Sequence, residues 1–175
     1  MGRILRADPG VLPDAWTTIV PEASDVMDAF SIVGGKIYVV RLKDVKSETS
    51  VYTLEGKPAG TIQFDGIGSA SGVYGRPANR YGFFNFQSFI QPPTIYRLDS
   101  VTGKREVFAK PEVPFDTSQY ELKQVFYKSK DGTRVPMFIA GKKGSRHDCT
   151  DSLRMTGYGG FDVNITPAWS PAYAW

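Results

Sequence analysis

A tyrosine near the end of the sequence stands among glycines, in residues 156–167 (TGYGGFDVNITP). The Tyr158 hydroxyl can donate a hydrogen bond from a rigid ring, and Phe161 offers a flat apolar surface. Glycines beside them permit positive φ angles and let the backbone approach a ligand without Cβ collisions. The segment could therefore hold a hydrogen-bond donor against a small ligand. From the residues alone, a plain glycine turn is the favoured interpretation.

Two other segments carry residue types that could do chemistry. His147 and Cys149 are the only histidine and the only cysteine, and together they do not make the four-ligand set of a structural zinc site. We interpret His147 as a solvated loop residue and expect neither a metal nor a cofactor. Residues 66–72 (GIGSASG) contain G-x-G but lack the Lys-Ser/Thr and the following helix of a phosphate-binding loop. A turn is therefore favoured there, and nucleotide binding is the weakest alternative.

Composition indicates a globular, strand-rich protein. The 41% hydrophobic and 22% charged content is typical of globular chains, and 13% aromatic residues with 18 Gly and 12 Pro favour short strands and turns. A net charge of +3 is too small to indicate nucleic acid or anionic membranes as partners. The sequence has neither an apolar run of bilayer length nor the apolar core of a signal peptide. Because the lone Cys149 cannot form an internal disulfide, we expect a reducing, cytoplasmic location.

The elements that would position these residues begin with a repeat. Residues 36–54 (KIYVVRLKDVKSETSVYTL) and 80–98 (RYGFFNFQSFIQPPTIYRL) align without a gap at an offset of 44 residues. Each stretch follows one strand-like segment and leads, through a Gly-Lys turn, into another. These flanking segments are residues 29–33, 61–64, 71–74 and 105–108. Four short strands recurring at this period predict two blades of a β-propeller.

Residues 3–7 and 17–20 resemble the outer hairpin of one further blade. Propellers usually close with at least four blades, so two and a half blades predict that the chain begins partway through a larger domain. We expect these C-terminal blades to occupy residues 1–112.

A second unit is predicted from residue 113 to residue 175. Prolines in residues 110–121 (KPEVPFDTSQYE) indicate a linker. Beyond it, Asp131-Gly132 predicts a hairpin turn between strands at residues 123–127 and 134–139. Residues 152–156 are predicted to form the strand that leads to Tyr158.

Long motifs of this second unit resemble a known family. Residues 120–144 (YELKQVFYKSKDGTRVPMFIAGKKG), followed by residues 156–171 (TGYGGFDVNITPAWSP), resemble the prolyl oligopeptidase family of serine peptidases where its propeller meets its α/β-hydrolase domain. Residues 32–36 (IVGGK), 66–72 (GIGSASG) and 92–96 (PPTIY) are similar to segments of its last blades. The resemblance covers essentially the whole chain.

The resemblance implies a seven-bladed propeller capping an α/β-hydrolase domain, with short proline-containing peptides cleaved between them on the carboxyl side of proline. Tyr158 matches the tyrosine whose hydroxyl helps to stabilise the tetrahedral oxyanion. Phe161 matches an aromatic wall of the pocket that receives the proline ring. One such oxyanion donor is worth about 10²–10³ in rate.

The resemblance also predicts what is missing. No G-x-S-x-G nucleophile motif occurs in the sequence, and the family's serine, acid and histidine all follow the glycine-rich tyrosine segment. His147 precedes Tyr158, so it is on the wrong side to be the catalytic base. We therefore expect the chain to be inactive alone, with the remainder of the peptidase as its partner. The alternative is a non-catalytic β module that binds peptides or a partner through exposed strand edges.

One residue departs from the family pattern. Arg154 stands where the family has an apolar residue in a buried strand, and an unpaired buried charge costs several kcal/mol. We therefore expect the predicted strand at residues 152–156 not to pair normally in a sheet.

Overall fold

The computed structural model describes residues 2–10, 12–114, 116–145, 150, 152–161 and 163–173. Strands dominate this part of the chain, which confirms the prediction of a mainly β fold. Its helices are short 3₁₀ segments, at Pro13–Ala15, Thr117–Gln119 and Pro171–Tyr173, and no described helix is long and apolar enough to cross a membrane. The strands are β1 (Ile4–Arg6), β2 (Thr17–Val20), β3 (Val26–Val33), β4 (Lys36–Lys43), β5 (Lys46–Thr53), β6 (Pro58–Ile62), β7 (Ser69–Ala70), β8 (Tyr81–Gln87), β9 (Thr94–Asp99), β10 (Arg105–Ala109), β11 (Tyr120–Lys128) and β12 (Arg134–Lys142).

Strands β3 to β6 form the first four-stranded antiparallel sheet, in chain order. Val39 and Val40 in the middle of β4 are fully buried, as expected for a strand covered on both faces. The β3–β4 turn consists of Gly34 and Gly35, whose φ angles of 57° and 70° suit the tight turns of β-hairpins. A Cβ on Gly34 would lie 1.9 Å from the Ser100 Oγ. The missing side chain therefore also lets this turn contact the second sheet.

Strands β7 to β10 form the second four-stranded antiparallel sheet. The strand predicted at residues 71–74 is wrong: the paired strand is Ser69–Ala70, and an isolated bridge joins Tyr74 to Phe83. The Ser71 N–H donates to the Asn85 carbonyl at 2.9 Å, but the Asn85 N–H donates to the Ser71 hydroxyl instead of the Ser71 carbonyl, so the regular ladder is interrupted there. The predicted strand at residues 61–64 is likewise shifted, to Pro58–Ile62.

The two sheets pack against each other through an aromatic core, as adjacent propeller blades do. Phe64 explains the shifted end of β6, because its ring leaves the ladder and stacks on Phe86 with centroids 4.8 Å apart. Phe84 stacks on Tyr96 at 5.2 Å. The buried members of this core are Val33, Tyr38, Val51, Ile62, Ala70, Val73, Phe84, Phe86, Tyr96 and Leu98.

A smaller cluster covers the opposite face of the first sheet. Strands β1 and β2 pair antiparallel, as their predicted hairpin requires. Ile19 and Val20 of β2 pack on Ile37 and Val39 of β4. The first sheet is therefore sandwiched between the β1–β2 pair and the second sheet, which is the stacked arrangement that the repeat predicts.

A long, regular hairpin follows the second sheet in the chain. Strands β11 and β12 pair over all nine of their residues, which confirms the hairpin and extends it beyond the predicted ends. By contrast, the predicted strand at residues 152–156 does not form. None of the described strands pairs with these residues, and Leu153, Arg154 and Met155 are exposed. The expected cost of burying Arg154 therefore does not arise.

Candidate functional site

The glycine-framed tyrosine lies in an exposed segment that follows the β11–β12 hairpin. Tyr158 is 54% exposed and Phe161 is 93% exposed. The Val163 N–H donates to the Gly160 carbonyl at 3.1 Å, which closes a turn at Phe161. The phenol leans over its own turn, because a Cβ on Gly160 would lie 3.7 Å from the Tyr158 hydroxyl oxygen. The segment presents an accessible phenol and an accessible phenyl ring within four residues.

The residue of this turn that has a positive φ angle is not one of the glycines that were predicted to have it. The sequence predicts that the glycines supply positive φ angles, but Gly157, Gly159 and Gly160 do not adopt them. Phe161 does, with φ 55°. Positive φ is strained for a bulky residue, and such strain concentrates at functional sites. The strain thus falls on the residue that the resemblance assigns to substrate binding.

The chain after this turn is anchored to the second sheet, a contact that the sequence did not predict. The Trp169 N–H donates to the Gln87 Oε1 at 3.2 Å, and Pro167 is fully buried. Between this segment and the β8–β9 loop lies a groove of about 370 Å³. Its lining residues are Phe89, Asn164, Ile165, Thr166, Ala168, Trp169 and Ser170. The only sequence signal for this contact is a tryptophan between proline and serine in residues 167–170.

Of the glycine-rich residues 66–72, residues 66–68 lie in the connection from β6 to β7, where a turn between blades was predicted, and the next two residues form β7 itself. A Cβ on Gly68 would lie 2.3 Å from the Phe86 ring and 2.4 Å from the Gln87 carbonyl oxygen. This glycine is therefore needed for close approach to β8. No part of the segment shows the strand–loop–helix arrangement of a phosphate site.

An ionic network ties that connection between the blades to the second sheet, and no local sequence pattern predicts it. The Tyr96 hydroxyl and the Arg105 Nη1 each donate to the Asp65 carboxylate at 3.0 Å. The Arg105 hydrogen bond holds the pKa of Asp65 below its usual range, although partial burial opposes the shift. Burial is the main cause that raises the pKa of Tyr96, and the Asp65 charge adds to it. The network is structural, since it clasps the inter-blade turn against β9 and β10.

Two candidate residues, His147 and Cys149, lie outside the described residues. Within the described ranges, no three His, Cys, Asp or Glu residues come together as a metal site would require. Tyr158 and Phe161 are thus the candidate functional residues whose positions the structure gives.

Comparison with known proteins identifies the family to which this architecture belongs. A family model described as the prolyl oligopeptidase N-terminal β-propeller domain matches residues 1–111. The chain belongs to the prolyl oligopeptidase family. It is 36% identical over 158 residues to the prolyl endopeptidase of Elizabethkingia miricola, covering 90% of this chain and 22% of that protein. It is 36% identical over 177 residues to the prolyl endopeptidase of Dictyostelium discoideum, covering 95% of this chain and 23% of that protein.

Solved structures of the prolyl oligopeptidase family agree with the fold. One from a structural and mechanistic analysis of two prolyl endopeptidases matches with a TM-score of 0.88 and 41% identity, over 97% of this chain and 25% of that chain. Apo prolyl oligopeptidase B from Galerina marginata matches with a TM-score of 0.78 and 28% identity, over 89% of this chain and 23% of that chain. The predicted family and the predicted propeller blades are confirmed. The chain spans 22% and 23% of the length of the two curated relatives.

Proposed function

We propose that this chain is part of a serine endopeptidase that hydrolyses short peptides on the carboxyl side of proline. The observation that supports it best is the match at 41% identity over 97% of the chain, because that span includes the tyrosine segment as well as both sheets. A related structure, prolyl oligopeptidase B from Galerina marginata, is bound to a 35-residue hydrolysis and macrocyclization substrate. Peptides are therefore the substrate class that we propose, and the cytoplasm is the proposed location.

The proposal divides the chain into two functional parts. Residues 1–112 supply the last propeller blades, in agreement with a family match that ends at residue 111. Residues 113–175 begin the α/β-hydrolase domain. In this division the propeller limits access to the site, and the second part supplies groups that touch the substrate.

Within the second part, Tyr158 is proposed as an oxyanion donor and Phe161 as a wall of the proline pocket. The exposure of Tyr158 leaves its hydroxyl accessible to a substrate. A phenol suits the role because it donates from a rigid ring to the position where negative charge develops. The flat face of Phe161 suits a pyrrolidine ring, which is apolar and of similar width.

The 175-residue chain alone is proposed to be inactive, because its sequence contains no G-x-S-x-G and its one histidine precedes Tyr158. The test is an assay of the purified chain with a proline-containing peptide that carries a chromogenic leaving group. We expect no turnover above the uncatalysed rate. Turnover that a serine-directed inhibitor abolishes would refute the proposed inactivity of the chain alone.

The roles of the two aromatic residues are tested in the full-length polypeptide, because this chain spans 22% of a curated relative, and we expect that polypeptide to contain a serine elbow followed by Asp and His after Tyr158. Tyr158→Phe should lower kcat by about 10²–10³ with little change in KM. Phe161→Ala should mainly raise KM. Tyr127→Phe, at a half-exposed tyrosine on β11, is the matched control and should change neither. Full activity of Tyr158→Phe would remove this residue from the oxyanion site.

A second candidate function is a non-catalytic module that binds peptides or a partner along a strand edge. The observation that favours this candidate is the open edge formed by β3, on which Val26, Phe30 and Ile32 are exposed. Sedimentation of the purified chain distinguishes the candidates. A defined dimer that dissociates in Phe30→Ser would favour the binding module. Irregular association, or a monomer that binds no peptide, would contradict the module and favour the peptidase proposal.

A further inference from the structure

The turn between β4 and β5 breaks the usual rule for two-residue hairpin turns. A type I′ turn needs positive φ at both central residues, and asparagine, aspartate or glycine normally supplies it at the first position and glycine at the second. Here the residues are Asp44 and Val45, with φ angles of 49° and 65°. For the β-branched Val45 this conformation is a genuine outlier. Backbone strain of this kind persists only where surrounding structure holds it, so the contacts of the turn are informative.

The contacts of this turn are with the β11–β12 hairpin, about 80 residues further along the chain. The Gln124 Nε2 donates to the Asp44 carbonyl at 2.6 Å in a partly buried position. The Arg134 Nη1 donates to the Asp44 carboxylate at 3.2 Å. The same guanidinium lies over the Phe126 ring, with 3.2 Å between its central carbon and the ring centroid. Two strands of the hairpin thus bind one residue of the first sheet.

A second contact ties the hairpin to the other sheet. Phe138 of β12 packs on Phe89 of the β8–β9 loop, with ring centroids 5.6 Å apart. Gln124 and Phe138 are direct cross-strand partners in the hairpin. The polar contact to the first sheet and the apolar contact to the second sheet are therefore made by one pair of residues that face each other across the hairpin.

We propose that the Asp44–Val45 turn is a docking site that fixes the β11–β12 hairpin across both propeller blades. Its left-handed backbone points the Asp44 carbonyl to Gln124, and the ion pair to Arg134 supports that bond. Phe89 and Phe138 prevent rotation about this point. The proposal does not depend on the peptidase function, because it concerns how the second part of the chain is held on the first.

A two-stranded hairpin is at best marginally stable in water without further packing. Protection of the β11 and β12 amides from hydrogen exchange should therefore depend on docking, whereas protection of β4 and β8 should not. We would measure exchange by mass spectrometry on the 175-residue chain. Gln124→Ala should accelerate exchange in residues 120–142 about fivefold, as expected for one net hydrogen bond. Asp44→Asn keeps the carbonyl and should accelerate it about twofold.

The controls separate docking from general loss of stability. Lys123→Ala removes an exposed ion pair with Glu121 on the same strand, away from the turn, and should leave exchange unchanged. Salt screens the Asp44–Arg134 ion pair, so 0.5 M NaCl should accelerate hydrogen exchange of the hairpin in the wild type. In Asp44→Asn, which lacks this ion pair, the same salt should leave the exchange rate of the hairpin unchanged. Equal acceleration of β4 and β8 in Gln124→Ala, or no acceleration of the hairpin, would overturn the proposal.

Discussion

Removal of the Asp65 carboxylate should weaken the contact between the two propeller blades. Asp65 accepts hydrogen bonds from the Tyr96 hydroxyl at 3.0 Å and from two nitrogens of Arg105 at 3.0 and 2.5 Å. Tyr96 is buried in the inter-blade core, and Arg105 lies over its ring at 4.8 Å. In Asp65→Ala the phenol would keep Gln91 as a donor and lose Asp65 as an acceptor.

The magnitude follows from how much of the network is shielded from water. The Asp65 side chain is 57% exposed and that of Arg105 is 21% exposed, so the ion pair contributes about 0.5–1 kcal/mol. The hydrogen bond from the buried Tyr96 hydroxyl contributes about 1 kcal/mol more. Asp65→Ala should therefore lower the free energy of unfolding by about 2 kcal/mol, and Asp65→Asn by about half of that.

Urea unfolding followed by circular dichroism would measure these changes. A double-mutant cycle between Asp65→Ala and Tyr96→Phe should give a coupling energy of about 1 kcal/mol. Glu48→Gln is the matched control, because that carboxylate pairs only loosely with Lys43, at 3.6 Å on the surface, and should change stability by less than about 0.5 kcal/mol. A coupling energy of zero would refute the assignment of the network as a clasp.

The pH dependence gives an independent check. The Arg105 hydrogen bond makes the folded pKa of Asp65 lower than its unfolded value of about 3.9. A carboxylate whose pKa is lower in the folded than in the unfolded state adds to the free energy of unfolding. This contribution is fully present above the unfolded pKa and is lost as the pH falls through the folded pKa. The difference in stability between wild type and Asp65→Asn should therefore be constant from pH 5 to pH 7 and shrink below about pH 4. A difference that grows on acidification would contradict this reasoning.

Two further predictions concern turns. Gly68→Ala should destabilise the fold by about 3 kcal/mol in urea, because its Cβ would meet the Phe86 ring and backbone that cannot move aside, whereas Gly157→Ala, with open space around it, should be neutral. Hydrogen bonds from the Ser129 hydroxyl and the Thr133 N–H hold the pKa of Asp131 at about 2. Titration followed by NMR should find that pKa in the wild type and a higher one in Ser129→Ala, and an unchanged pKa would refute the assigned contact.

The sheets could be predicted from the sequence because their signals are local. Residues 36–54 and 80–98 repeat the same alternation of apolar and polar side chains, and a strand of period two follows directly from such alternation. Asp131-Gly132 predicts its hairpin for the same reason, since two adjacent residues specify the turn. Where a side chain competes with the backbone, as Ser71 does, the same reasoning places the strand wrongly.

The contacts between sheets could not be predicted, because they join residues far apart in sequence. Asp65 and Arg105 are 40 residues apart, and neither has a neighbour in sequence that indicates its partner. The anchoring of Trp169 on Gln87 spans 82 residues. At the candidate site, the motif predicted a glycine-framed phenol but assigned the positive φ to the wrong residues. A glycine-rich segment permits many backbone paths, so its composition does not select one.

The hairpin turns show how a broken local rule can indicate a distant contact. Gly132 and Gly103 obey turn chemistry, and a Cβ on either would meet nothing within 4 Å. Val45 disobeys it, and its turn carries two hydrogen bonds from a hairpin 80 and 90 residues away. Backbone strain persists only where the surrounding structure holds it, and natural proteins violate local preferences mainly at functional or strained sites. Among the described residues, Phe161 combines positive φ with high exposure, which is consistent with its proposed contact with a bound substrate.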